Sequence, residues 1–334
     1  MLYRIILIIS LFFLSACAHR PNIDSLPKYI QKLEQQSASI IGINAIHIES
    51  GKSFGYRDNE SFPMASTVKV PIAIYLMHLA ENKKINLDKM IRIEPGDLVL
   101  GSGAMGYFLS KPGLAISIYN MFEPMMAISD NSATDIILRQ IGGPNAVYKF
   151  LQQKGISDIM VNRSIEQLYS DSTGLKSWPA RTVLTLMDRK ILLEKMPDSD
   201  KTKAYETFYH DIRDTATPSS MTTLLTKLYK EELLNAEYSK MILDVMAKGT
   251  SSRLKKLLHK DVKIAYKTGT WWDDKSSGKK YNYTNEIAII TLPDNRGHIA
   301  MAIYVKSDHS NLQKQLDAIG KAARMVYDNI QANH

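Results

Sequence analysis

Three short polar motifs lie far apart in this chain, and they can act together only if the fold brings them to one place. They are Ser66-Thr67-Val68-Lys69, Ser129-Asp130-Asn131 and Lys267-Thr268-Gly269. Dozens of residues separate each motif from the next, far more than one helix or hairpin contains. With 334 residues, the chain is long enough to bury a large core around such a meeting point. The order and wide spacing of the motifs therefore predict a single long-range site.

The first 17 residues have the pattern of an export signal. A short basic start at Arg4 precedes an apolar run over residues 5–13, which is too short to span a membrane. Leu14-Ser15-Ala16-Cys17 resembles the bacterial lipobox, in which the cysteine becomes the lipidated first residue. An ordinary signal peptide cut near Ala18 is the alternative. We expect residues 1–17 to be the signal and residues 18–24 a tether, which makes the mature protein a periplasmic lipoprotein held to the membrane by its lipid alone.

Composition narrows the classes of partner and cofactor. The net charge is +8, but the basic pairs are scattered and form no stripe interleaved with aromatic residues, which argues against nucleic-acid binding. The eight histidines show no metal-ligand spacing, and Cys17 is the only cysteine. We therefore expect no metal, no other cofactor and a monomeric protein.

The hydrophobic periodicity predicts an α+β fold over residues 25–331. Alternating patterns near both ends indicate strands, and 3.6-residue periodicity in between indicates helices. The expected strands are 40–49, 53–56, 262–270, 286–292 and 298–305, and the main expected helices are 67–81, 116–128, 132–141, 144–154 and 311–331. This order predicts an antiparallel sheet built from both chain ends with flanking helices, plus an inserted all-helical lobe over about 66–221.

The first motif has the chemistry of a nucleophile and its base. Ser66 stands just before an apolar helix, where a serine is often only a helix cap. Lys69 follows three residues later, so both side chains share one face of the first turn. A lysine can take the serine proton if burial or nearby positive charge lowers its pKa. We therefore interpret Ser66 as a catalytic nucleophile and Lys69 as its base.

The other two motifs supply a relay and a binding surface. Ser129 can pass a proton to a leaving nitrogen, Asn131 can grip a substrate amide, and Asp130 can brace the turn between them. Each motif alone also fits a polar helix end or an exposed strand end. Lys267 attracts a substrate carboxylate, Thr268 or Thr270 hydrogen-bonds it, and Gly269 allows close backbone approach. The N–H groups of Ser66 and Thr270 would form an oxyanion hole.

Taken jointly, the motifs resemble those of the class A β-lactamase family within the penicillin-recognising active-site serine hydrolases. The likeness extends to the flanking stretches 66–71, 129–135, 213–218 and 267–270, and it covers about residues 25–331. The resemblance implies an exported serine β-lactamase that confers antibiotic resistance, with β-lactams as substrates. It leaves a second possibility, a penicillin-binding-protein-like peptidoglycan peptidase or a serine hydrolase that deacylates slowly.

One part of the family pattern is missing. The family carries a glutamate in an E-x-x-L-N segment that activates the deacylating water, and this chain has no clear copy. Glu166 is followed by a leucine one place early and by no asparagine, and Glu206 lacks both. Glu166 is our first assignment, Glu206 the alternative, and the absence of a dedicated base the third possibility. The region 163–213 is longer than the corresponding family loop, an unusual length for a structureless segment.

Two further patterns have simpler explanations. Residues 101–106 match G-x-G-x-x-G, but Pro112-Gly113 follows where a dinucleotide fold needs a long helix. We expect a loop near the substrate cleft instead. Trp271-Trp272 follows the third motif, and the pair either lines the cleft or packs beneath the loop that follows.

Overall fold

Strands from both ends of the chain form one antiparallel sheet of five strands in the computed structural model, in the order β2-β1-β9-β8-β7. The structure describes residues 25–109, 111, 113–175, 185–259, 261–272, 282–308 and 311–332, so the expected signal, Cys17 and the tether lie outside it. The described strands are β1 (Ile40–His47), β2 (Ser53–Tyr56), β3 (Phe62–Pro63), β4 (Met90–Ile93), β5 (Leu114–Ser117), β6 (Thr215–Ala216), β7 (Ile264–Trp272), β8 (Asn282–Thr291) and β9 (His298–Ser307).

Helices cover the sheet and fill the middle of the chain, as the periodicity predicts. They are α1 (Leu26–Ser37), α2 (Lys69–Glu81), α3 (Met105–Phe108), α4 (Ile118–Ala127), α5 (Asn131–Gln140), α6 (Pro144–Gln153), α7 (Ile165–Thr173), α8 (Leu186–Lys195), α9 (Asp198–Tyr209), α10 (Pro218–Tyr229), α11 (Ala236–Ala247) and α12 (Leu312–Ala332). None of the helices in the described part of the chain is long and apolar enough to cross a membrane. The predicted α+β class, with its two-ended sheet, is confirmed.

The central strand β9 is buried on both faces because successive side chains point to opposite sides of the sheet. Ile303 packs in a core shared with α1 and α12. Its neighbours Ala302 and Tyr304 pack in the larger core, which includes the helical lobe. The sheet therefore separates two apolar cores, and the lobe is attached to one face of it.

Helix α2 lies at the centre of the lobe. It is apolar almost all round, as expected for a helix surrounded by protein. Helices α4, α5, α6 and α11 contact it. The first residue of this buried helix is Lys69, so the fold itself places a lysine amine in the protein interior.

The region 163–213 is not a loop. Its described residues form α7, α8 and α9, although residues 176–184 lie outside the description. The short strands β3 and β6 pair with each other, so the end of this region is joined to the chain that enters the first motif. The backbone N–H of Met64 also donates to the carbonyl of Asp214 (3.0 Å).

Candidate active site

Ser66 lies in a single 3-10 turn, Ala65–Val68, that leads directly into α2 at Lys69. Residues i and i+3 of a 3-10 helix lie one above the other, so Ser66 and Lys69 share a face. Ala65 has a φ of +46°, a left-handed conformation that costs free energy in a residue with a Cβ and that often occurs at functional turns. The Ser66 side chain is half-buried and therefore reachable from solvent.

The amine of Lys69 reaches the second motif. Lys69 Nζ donates to the carbonyl oxygen of Ser129 (2.5 Å), to Ser129 Oγ (3.1 Å) and to Asn131 Oδ1 (2.8 Å). Burial lowers the pKa of Lys69 well below its ordinary value, and the positive charge of Lys267 lowers it further. A lysine whose pKa is lowered in this way gives up its proton more readily and can then take one from a serine hydroxyl.

The third motif meets the same hydroxyl from the opposite side. Lys267 Nζ lies 3.1 Å from Ser129 Oγ and donates to the carbonyl of Thr268 (2.9 Å). Burial, with help from the nearby charge of Arg253, lowers the pKa of Lys267 to about 7. The Ser129 hydroxyl therefore lies between two lysine amines at equal distance, and all three motifs meet at this one atom.

Asp130 and Asn131 hold the surrounding backbone. Asp130 caps α5 by accepting from the N–H of Ala133 (2.9 Å), and it also accepts from the N–H of Met105 (2.8 Å). Asn131 Nδ2 donates to the carbonyl of Leu100 (2.8 Å). Ser129 itself has a φ of +62°, so the turn that aims its hydroxyl is held in an unfavourable conformation by these contacts.

Gly269 lets β7 approach the nucleophile turn. A Cβ at this position would lie 2.7 Å from the carbonyl oxygen of Met64 and 3.0 Å from the backbone nitrogen of Ser66. Only glycine permits this spacing, because the opposing atoms are backbone and cannot turn aside. Thr270 is the next residue of β7, so it directly follows the point where this strand approaches the Ser66 turn.

Arg253 belongs to this surface and was missed by sequence reasoning. Its guanidinium donates to Thr270 Oγ1 (2.8 Å), and the neighbouring Ser251 hydroxyl lies 3.3 Å from Thr268 Oγ1. Both residues come from the stretch between α11 and β7, which carries no motif. A basic residue next to two serines was the only signal, and several other basic residues of this chain look the same.

Glu166 lies on the first turn of α7. Asp135 accepts from the N–H groups of Ile165 (2.7 Å) and Glu166 (2.8 Å), which fixes the start of the helix. Burial raises the pKa of Asp135 to about 6. The Glu166 carboxylate accepts from Ser170 Oγ (3.3 Å) and lines a cavity together with Arg189 of α8.

The family motif explains this placement. When Leu168 takes the position of the leucine in E-x-x-L-N, Ile165 stands where the glutamate belongs and Tyr169 where the asparagine belongs. Ile165 is buried in the lobe core. The charges of Lys267, Asp130 and Asp135 act on the Lys69 amine. The alternative base, Glu206, is exposed on α9.

An open cleft of about 770 Å³ borders the site at Thr270, the residue after the third motif, and at Gly101, where a Cβ would lie 2.8 Å from Asn131 Nδ2. Gly101 and Ser102 line it, as expected for a loop near the substrate cleft, and the G-x-G-x-x-G pattern ends in the four-residue helix α3. Trp271 also lines the cleft, which is one of the two placements expected for the Trp271-Trp272 pair. The side chain of Trp272 lies outside the described residues. The described residues include no group of three or more His, Cys, Asp or Glu side chains that could hold a metal ion.

Comparison with known proteins agrees with this geometry. The model of the β-lactamase enzyme family matches residues 25–330. The chain belongs to the β-lactamase enzyme family. It is accordingly an enzyme of the serine hydrolase type, and the family resemblance drawn from its motifs is confirmed.

Curated relatives and solved structures cover almost the whole chain. β-Lactamase SME-1 of Serratia marcescens is 26% identical over 313 residues, which are 92% of this chain and 90% of that protein. β-Lactamase ROB-1 of Haemophilus influenzae is 28% identical over 309 residues, 91% of this chain and 84% of that protein. The crystal structure of TLA-1 extended-spectrum β-lactamase superposes with a TM-score of 0.74 at 24% identity and covers 92% of this chain and 99% of its own. A β-lactamase from Chitinophaga pinensis gives 0.73 at 20% identity and covers 91% and 98%. The fold is that of the class A β-lactamases.

Proposed function

We propose that this β-lactamase-family enzyme hydrolyses β-lactams through an acyl-enzyme on Ser66. The Ser129 hydroxyl, 3.1 Å from both lysine amines, is the observation that carries the proposal. Ser66 Oγ attacks the β-lactam carbonyl carbon while Lys69 Nζ takes its proton. Ser129 gives a proton to the ring nitrogen as the C–N bond breaks, and it regains one from the lysine side. Water then cleaves the ester and releases the opened product.

The remaining motif residues bind the substrate in this scheme. Lys267 and Arg253 attract the carboxylate, and the hydroxyls of Thr268 and Thr270 hydrogen-bond it. Asn131 grips the side-chain amide. The close approach at Gly269 supports an oxyanion hole made by the N–H groups of Ser66 and Thr270, where one donor is worth about 2.7–4 kcal/mol in related sites.

We further propose the cellular setting that the N-terminal pattern predicts. Residues 1–17 direct export, Cys17 carries the lipid, residues 18–24 form the tether, and residues 25–331 form a monomeric periplasmic catalytic domain with a helical lobe over about 66–221. The enzyme works without a metal or other cofactor. Labelling with a radioactive fatty acid that depends on Cys17 tests the anchor, and loss of label in Cys17→Ala with unchanged catalysis is the expected result.

A second function is favoured by one observation. The Glu166 carboxylate contacts Ser170 and faces Arg189, on the side of α7 that carries α8. Acylation does not need this group, but rapid deacylation needs a placed base. An enzyme that acylates well and releases slowly would behave like a penicillin-binding peptidoglycan peptidase. Glu166 as the deacylating base stays a prediction from the sequence.

One experiment separates the two functions. Purified residues 18–334 are mixed with a chromogenic cephalosporin and, separately, with a fluorescent penicillin. Rapid multiple turnover supports the β-lactamase, whereas one stoichiometric label that persists for minutes supports the slow-releasing peptidase. Ser66→Ala should abolish both signals. A label or turnover that survives this change would overturn the assignment of the nucleophile.

A further inference from the structure

The cleft beside the motifs has a wall that the family motifs do not provide. Two helices of the inserted region, α8 and α9, line it, together with α7, β7 and the loop before α3. The lining residues used in the argument are Gly101, Tyr107, Tyr169, Leu193, Tyr205 and Trp271. At about 770 Å³, the cleft exceeds what the β-lactam nucleus needs and is of a size to hold a further ring system.

Helix α9 is firmly placed against the rest of the site. A Cβ on Gly174, at the end of α7, would lie 3.0 Å from the Cβ of Ala204. The Phe208 ring lies 5.3 Å from the Trp271 ring and 5.2 Å from the guanidinium carbon of Arg163. With contacts to α7, β7 and Arg163, α9 presents a fixed surface to the cleft.

The rim of the cleft that α3 forms also contacts the inserted helices. A Cβ on Gly106 of α3 would lie 3.1 Å from Leu186 Cδ1 of α8. Tyr107 follows on α3 and is 73% exposed, so its ring stands free at the mouth of the cleft. The inserted helices therefore fix both the far wall and one side of the entrance.

The character of the wall is aromatic. Tyr107, Tyr169, Tyr205 and Trp271 all line the cleft, and the rings of Tyr169 and Trp271 lie 5.0 Å apart. Three charged residues also line the cleft: Lys201 and Asp198 pair with each other (3.1 Å), and Glu194 of α8 adds one carboxylate. Aromatic rings select planar aromatic partners through offset or edge-to-face contacts.

We propose that α8 and α9 form the binding site for an aromatic acyl substituent of the substrate, with Tyr205 and Tyr107 as specificity-determining residues. This inference rests on the proposed function. Asn131 grips the amide that links the substituent to the β-lactam ring. A Cβ on Gly101, which lines the cleft, would lie 2.8 Å from Asn131 Nδ2 and would also meet the Tyr169 hydroxyl, so Asn131 and the cleft are neighbours. A group attached beyond that amide enters the cleft directly.

The test compares two penicillins that differ only in the acyl substituent. Benzylpenicillin carries a phenylacetyl group and 6-aminopenicillanic acid carries none. The second-order rate constant for acylation of Ser66 is measured for each by competition with a fluorescent penicillin. We expect the ratio of the two constants to fall about three- to tenfold in Tyr205→Leu and in Tyr107→Ala, the range that one or two aromatic contacts supply.

Phe108→Ala is the matched control, since Phe108 follows Tyr107 on the same helix, is 82% exposed and does not line the cleft. Its ratio should equal that of the parent. Tyr107 is exposed, so Tyr107→Ala tests the idea even if Tyr205→Leu fails to fold. A parent-like ratio in every folded variant would overturn the inference. A parent protein that neither penicillin acylates would instead overturn the proposed function.

Discussion

Arg163 binds Asp214, a residue 51 positions further along the chain, through a contact of 2.6 Å between Nε and Oδ2. Both side chains are nearly fully buried. Arg163 also reaches Asp171 (2.9 Å) and Asp211 (3.0 Å), and Arg213 joins the same carboxylates. The ion-pair network thus joins the residues around the start of α7 to the residues just after α9. Helices α8 and α9 lie between these two points in the sequence. The insertion lengthens the region 163–213, while the ion pairs keep the two ends of that region together.

Asp214→Asn should destabilise the protein markedly. The change removes one buried charge and keeps the side-chain volume, and asparagine tolerates the φ of +56° at this position. Breaking a buried ion pair leaves an uncompensated charge and costs about 3–5 kcal/mol. Because Asp171 and Asp211 still face Arg163, we expect a loss near the lower end, about 3 kcal/mol in the free energy of unfolding in urea.

Lys240→Ala provides the comparison for this ion pair. Lys240 contacts Asp244 at 2.6 Å on α11, but both side chains are largely exposed. Exposed pairs of this type contribute about 0.5 kcal/mol or less. Equal losses in Lys240→Ala and Asp214→Asn would contradict the structural role of the buried network.

Gly269→Ala should impair acylation much more than folding. The new methyl group would lie 2.7 Å from the carbonyl oxygen of Met64, so β7 must move away from the nucleophile turn. Oxyanion donors need placement to a few tenths of an ångström, so we expect the acylation rate to fall on the order of a hundredfold. Gly106→Ala is the control, since its methyl group would meet the end of the Leu186 side chain at 3.1 Å and the carbonyl oxygen of Val99 at 3.3 Å, both milder contacts than the one at Gly269. Labelling kinetics with a fluorescent penicillin measure both.

The loss of the Lys267 charge should lower the acylation rate at alkaline pH. Its pKa is lowered to about 7, so its positive charge is present below that pH and is lost as the pH rises through it. A substrate carboxylate needs that charge. We therefore expect the second-order acylation rate for an anionic penicillin to fall between pH 7 and pH 9.

Lys267→Arg isolates this effect because arginine stays protonated throughout that range. The variant's acylation rate should be nearly level between pH 7 and pH 9, whatever its absolute value. An identical alkaline decline in parent and variant would show that a group other than Lys267 causes it.

Local patterns predicted most of the fold because each predicted element carries its own signal. The predicted helix 144–154 is one case, since α6 covers Pro144–Gln153. The small strand pairs β3–β6 and β4–β5 were not predicted, because a strand of two to four residues shows little alternation and these strands, unlike residues 53–56, have no pairing strand directly before or after them in the chain. They depend on long-range partners that a local pattern cannot identify.

The site shows the same division between local and long-range information. The sequence alone identified Ser66, Lys69 and Lys267, because the chemistry of each motif requires a short, fixed spacing within one turn or strand. Arg253 reaches Thr270 only because a loop folds back on β7, and no local signal records that. The face of α7 that carries Glu166 is likewise set by Asp135, which holds the first two N–H groups of the helix from a different element.

Glu166→Gln decides how the acyl-enzyme is released. The sequence assigns the deacylating base to Glu166, so we expect the deacylation rate of the variant to fall on the order of a hundredfold and a long-lived acyl-enzyme on Ser66 to accumulate. The rate is measured by mass spectrometry of the protein after a single exposure to benzylpenicillin. Ser170→Ala is the matched variant, since it removes the carboxylate's partner without changing charge. A deacylation rate in Glu166→Gln equal to that of the parent would overturn this assignment and leave the carboxylate with its contact to Ser170 and the cavity that it shares with Arg189.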